Sequence, residues 1–79
     1  VIGGDFNAEA GGSVISVLDQ HFTRTCLRDC GFTIPSEQPR KTIDFIACTP
    51  GAWIVKEHKV VSDPYASDHL PVIATLGLH

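Results

Sequence analysis

The sequence predicts a mixed α/β fold, of the α+β kind, in the order strand, helix, loop, strand, strand, strand. Three observations carry this: one stretch with helical apolar spacing near the start, a proline-broken loop in the middle, and three β-rich runs after it. With 79 residues, the chain makes at most one small domain. A chain of that size buries roughly 60% of the surface its unfolded form exposes, so its core is marginal.

Val1-Ile2-Gly3-Gly4 reads as the end of a short buried strand, with glycines where the backbone turns out of it. Gly11-Gly12-Ser13 then opens a helix, with Ser13 as its N-cap. Val14, Val17, Leu18, His21 and Phe22 follow at i, i+3, i+4 spacing and make one apolar stripe. Because Val14, Ile15 and Val17 are β-branched, packing rather than propensity has to hold this helix. Residues 24–31 read either as an irregular connection or as a second short helical turn ending at Gly31.

Pro35 and Pro39 make residues 32–41 a loop, since each disfavours helix at the residue before it. Residues 42–48 are β-branched and aromatic enough for a strand. Thr49-Pro50-Gly51 turns the chain into a further strand over 53–61. Its polar middle (Lys56, Glu57, His58, Lys59) suits an edge or solvent-facing position. The last strand covers 72–76, with Pro71 tolerated at its start.

Composition narrows the function classes. With a net charge of −3 there is no bulk attraction to nucleic acid, which argues against a protein that coats it. A phosphate-bearing substrate stays open, because a bound divalent cation can supply local positive charge. No run reaches the length of a membrane span and no targeting signal is visible, so compartment is left undetermined. Cys26, Cys30 and Cys48 form no dense disulfide framework. They read as small buried apolar residues, although Cys26 and Cys30 with His21 or His58 could be imagined around zinc.

Three polar clusters interrupt this pattern. Asp5 and Asn7 flank Phe6 directly after the first strand, where an Asp and an Asn also commonly build a local turn or cap. Asp44 lies in Thr42-Ile43-Asp44-Phe45-Ile46, among apolar neighbours. A buried unpaired carboxylate costs several kcal/mol, so Asp44 either faces water or has a dedicated partner. Ser67-Asp68-His69 precedes the last strand. It is an ordinary polar turn taken alone, but His69 is a candidate partner for a carboxylate in acid/base or phosphate-binding work. Each cluster sits at a strand end, where α/β proteins build sites. Carboxylates, an amide and an imidazole together make a set suited to hard cations and phosphate.

The strings GDFNA, IDFI and SDHLPV, in that order and at these separations, resemble the three C-terminal motifs of the endonuclease/exonuclease/phosphatase superfamily. That group includes deoxyribonucleases, abasic-site repair endonucleases, sphingomyelinases and inositol polyphosphate phosphatases. The stretch FTIPSEQPRKTIDFI is similar to bacterial metal-dependent hydrolases of the group rather than to the repair enzymes. The resemblance runs over almost the whole chain and over the last third or so of a family domain. It implies the C-terminal part of a four-layered α/β sandwich with mixed, mostly antiparallel sheets, the N-terminal part of the domain being absent.

By that resemblance, Asp5 would orient or deprotonate the attacking water and Asn7 would hold that water or a phosphate oxygen. His69 would bind and neutralise the scissile phosphate, Asp44 would fix its tautomer, and Asp68, with Asp5 and Asn7, would contact a Mg²⁺ or Mn²⁺ ion. Two departures are clear. Thr42 stands where many relatives place arginine. The family's N-terminal half, which supplies a metal-liganding glutamate, an asparagine and a further catalytic histidine or tyrosine, has no counterpart here. Glu9, Glu37 and Glu57 sit in no matching motif.

The expectation is therefore a metal-dependent phosphoesterase whose active site is incomplete on this chain. Its partners would be a phosphoester substrate and the rest of the domain. The alternative is a non-catalytic fragment that acts only as a packing or interaction module. A sheet face uncovered by the missing half, for which Ile43, Phe45, Ile54, Val55, Val72 and Ile73 supply candidates, would also favour self-association.

Overall fold

In the computed structural model, residues 1–63, 65 and 67–79 are described. They form β1 (Ile2–Asp5), α1 (Ser13–His21), β2 (Thr23–Arg24), β3 (Asp44–Cys48), β4 (Trp53–Val60) and β5 (Val72–Leu78). The strands make two antiparallel sheets, one ordered β1-β3-β2 and the other β4-β5. The fold is thus a small α+β arrangement. Among the described residues, no helix is long and apolar enough to cross a membrane.

The core lies between α1 and β3. Ile15 and Leu18 from the helix meet Phe45 and Ala47 from the strand, with Phe6, Ala8 and Phe22 packed at the margin. Burying each large side chain contributes about 1.5–3 kcal/mol, so this cluster is the main hold on a helix with poor intrinsic propensity. Phe6 meets Phe45 edge to face at a centroid distance of 5.9 Å, which fixes the chain just after β1 against β3. Arg24 of β2 places its guanidinium 5.8 Å from the Phe45 ring centroid and pairs with Asp19 of α1 at 2.8 Å. The Arg24–Asp19 pair thereby ties the helix to the sheet.

Several expectations need correction. The helix begins at Ser13 itself: Gly12 is the capping position and no side chain caps it. Of the predicted stripe Leu18 is buried, but Val14 and Val17 are about half exposed, and Ile15 takes their place on the buried face. Ile15 and Leu18 are the residues that reach the sheet; Val14 and Val17 lie one step round the helix. β1 is not buried. It is an edge strand and all four of its residues are exposed.

The connection after β2 is not helical. Cys26 and Cys30 form a disulfide, with Cα atoms 5.8 Å apart, and this closes a short loop. The reading of all three cysteines as buried apolar residues therefore holds for Cys48 alone, which is 2% exposed. Residues 32–41 fold back on themselves through a bridge between Ile34 and Lys41, with a cis peptide bond before Pro35. Of the residues expected on a bare sheet face, Ile54, Val55 and Ile73 are exposed, but Phe45 is buried under α1.

Candidate functional site

Register brings the first two site residues together. In the antiparallel β1–β3 pair Asp5 lies directly opposite Asp44, at the end of β1 and the start of β3. The pairing continues one step further, where the Phe6 N–H donates to the Ile43 carbonyl at 2.9 Å. Two carboxylates facing each other across a strand pair repel unless something positive lies between them.

His69 lies between them. Its Nδ1–H donates to Asp44 Oδ2 at 2.8 Å, and its Nε2 lies 3.6 Å from Asp5 Oδ2 and 3.9 Å from Asp68 Oδ1. An ionised carboxylate only accepts, so Asp44 places the ring proton on Nδ1. At 3.6 Å the Asp5 contact is longer than a hydrogen bond, which leaves Nε2 without a short protein acceptor in either carboxylate. The Asp44 hydrogen bond raises the imidazole pKa above its ordinary value. Burial works against the rise, and the charges of Asp44, Asp68 and Asp5 add to it. The imidazole thus sits between carboxylates, with Nδ1 anchored on Asp44 and Nε2 toward Asp5 and Asp68. Asp44 is the more enclosed partner, with its side chain 17% exposed against 25% for His69.

Asp5 divides its two oxygens. Oδ1 accepts the Asn7 backbone N–H at 2.8 Å, an Asx turn that holds Asn7 at a positive φ of 51°. Oδ2 is the oxygen turned toward His69. The local-turn reading thus holds for Asp5 and Asn7, and Asp5 also faces His69, whereas Asn7 is tied to the cluster only through its backbone N–H on Asp5. The Asn7 side chain is exposed. Asp68 is 82% exposed, accepts from the Ser67 hydroxyl at 3.2 Å, and stands at the rim rather than in the cluster.

Oxygen-rich donors at a solvent-open strand end suit a hard divalent ion, which accepts carboxylates and keeps several waters. Asp5, Asp44 and His69 offer ligand atoms within 4.8 Å of one another. Within that group Asp44 Oδ2 is engaged by His69 Nδ1 and Asp5 Oδ1 by the Asn7 N–H, which leaves Asp5 Oδ2 as the freer oxygen toward the site. The second group imagined from the sequence does not offer thiolates. Cys26 and Cys30 lie near His58, but their sulfurs are bonded to each other. His58 shares a 2.6 Å hydrogen bond with Thr25 Oγ1, and burial lowers its pKa.

Sequence reasoning missed the residue beneath the site. Thr33 is fully buried, its Oγ1 accepts the Ile43 N–H at 3.2 Å, and its carbonyl accepts the Leu70 N–H at 2.7 Å. Its own N–H donates to the Lys41 carbonyl at 2.7 Å. A threonine in a proline-rich loop carries no local signal of such a place. Compared with known proteins, the chain matches no family model, no curated protein and no solved structure.

Proposed function

We propose that this chain carries the phosphate-binding half of a metal-dependent phosphoesterase of the endonuclease/exonuclease/phosphatase type, within a four-layered α/β sandwich completed by other residues of the domain. The observation that carries the proposal is the convergence of three sequence-distant segments on one strand end, where Asp44 holds His69 at 2.8 Å with Nε2 facing Asp5 and Asp68.

His69 binds the scissile phosphate through Nε2–H and neutralises charge that grows on its oxygen as water attacks. Asp44, by accepting from Nδ1–H, stabilises the doubly protonated ring, the form in which Nε2–H donates to the phosphate. Asp5 orients the attacking water and takes its proton, and Asn7 holds that water or a phosphate oxygen. A Mg²⁺ or Mn²⁺ ion held by Asp68 and Asp5, with Asn7, would polarise the phosphoryl oxygen.

Hydrolysis of a chromogenic phosphodiester by the full-length protein tests the proposal. Activity abolished by chelation and restored by Mg²⁺ or Mn²⁺ is expected, with negligible turnover by the isolated 79 residues. A full-length protein inactive against phosphodiesters and phosphomonoesters, with either metal, would favour the packing-module alternative.

A further inference from the structure

We infer that Thr33 is the positioning residue that sets Asp44 against His69. The inference rests on the phosphoesterase reading for its consequence in turnover, though not for its geometry.

Asp5 and Asp44 are aligned by a strand ladder, but His69 belongs to no strand. Residues 67–71 reach the Asp44 side of the molecule through backbone bonds to the loop before β3: Leu70 N–H donates to the Thr33 carbonyl at 2.7 Å and Ser36 N–H donates to the Asp68 carbonyl at 2.8 Å. Thr33 also grips β3, because its Oγ1 accepts the N–H of Ile43, the residue immediately before Asp44. One fully buried residue therefore holds the immediate chain neighbours of both members of the pair, Ile43 by its side chain and Leu70 by its backbone.

The surrounding bonds fix Thr33 itself. Its N–H donates to Lys41, the adjacent Ile34 exchanges backbone bonds with the same residue, and the Thr42 hydroxyl donates to the Gly31 carbonyl at 2.7 Å. The loop is thus closed on both sides of Thr33, so movement of its hydroxyl is transmitted to Ile43 rather than absorbed locally. Removing the hydroxyl leaves the Ile43 N–H without its acceptor and frees the start of β3 to shift relative to Leu70. A displacement near 1 Å is enough to misplace a catalytic group.

The test reads the tautomer of His69. In the neutral state a free imidazole favours the proton on Nε2, whereas the Asp44 contact holds it on Nδ1. Ring-nitrogen shifts in ¹⁵N-histidine-labelled full-length protein distinguish the two, with the His69 signals assigned by their loss in His69→Ala. Wild type is expected in the Nδ1–H form and Asp44→Asn outside it. At a pH where the ring is neutral, Thr33→Val, which keeps the shape and drops the hydroxyl, should move His69 toward the Nε2–H tautomer. The ring then loses its Asp44 anchor and is misplaced, which should lower kcat by roughly 10–100-fold with KM little changed. Thr33→Ser should retain the wild-type tautomer and rate.

A folded Thr33→Val with wild-type tautomer overturns the inference. So does a folded Thr33→Ser that loses the tautomer, an outcome that can be read even if the valine variant does not fold. The tautomer needs no substrate, so it reports on Thr33 separately from whether the protein hydrolyses phosphoesters.

Discussion

Breaking the Asp44–His69 pair should remove a measurable, pH-dependent coupling energy. The contact is short, at 2.8 Å, and its side chains are 17% and 25% exposed, so it is neither a free surface ion pair nor a fully dry one. Exposed pairs contribute about 0–1 kcal/mol and hydrogen bonds to charged groups about 1.5–3 kcal/mol, which sets the expectation near 2 kcal/mol. The raised pKa of His69 fixes the sign. Its contribution is fully present below the ordinary histidine value of 6.5 and is lost as pH rises through the raised folded value. His58 behaves oppositely: burial lowers its pKa, so its contribution is present above 6.5 and lost as pH falls through its lowered value. A double-mutant cycle of Asp44→Ala and His69→Ala cancels the His58 effect, because His58 is present in all four proteins. Urea unfolding of the full-length protein should give about 2 kcal/mol of coupling near pH 5.5 and less near pH 9. Coupling under about 0.5 kcal/mol at both pH values is indistinguishable from additivity and would refute the reasoning.

Three further outcomes follow from the packing. Ile15→Ala should destabilise the fold by about 2–5 kcal/mol, since Ile15 is fully buried against β3, and thermal unfolding reads it directly. Replacing Cys26 and Cys30 by serine should cost about 2 kcal/mol, the loop-closure contribution of a short ring, and should leave the wild type sensitive to thiol reductant by the same amount. The isolated chain should associate in sedimentation at micromolar concentration, because Ile54, Val55 and Ile73 lie exposed on the β4–β5 pair; a monomer that binds no hydrophobic dye would contradict this.

The elements were legible where local chemistry decides them. The β-branched run ending at Cys48, the turn at Pro50-Gly51 and the polar face of β4 each point to one structure, and they fold that way. The need of Asp44 for a partner was legible for the same reason: a carboxylate among Ile43, Phe45 and Ile46 is costly alone, and His69 meets it. Tertiary choices were not legible. Whether α1 buries Leu18 together with Val14 and Val17 or with Ile15 depends on where β3 lies, and helical spacing allows either face. Spacing allowed Cys26 and Cys30 a helical face, whereas the loop after β2 joins them as a disulfide. Thr33 could not be found, because its importance comes entirely from two segments that are distant in sequence.

The central claim is that Nε2 of His69 meets a reacting phosphate. It is tested most directly by turnover of a phosphodiester by the full-length protein with His69→Ala, measured in saturating Mg²⁺ beside a circular dichroism spectrum. A loss of about 10²–10³ in kcat with an unchanged spectrum is the expected result, the usual effect of removing one donor to developing charge. A folded His69→Ala protein that turns over within a factor of a few of wild type would contradict the account.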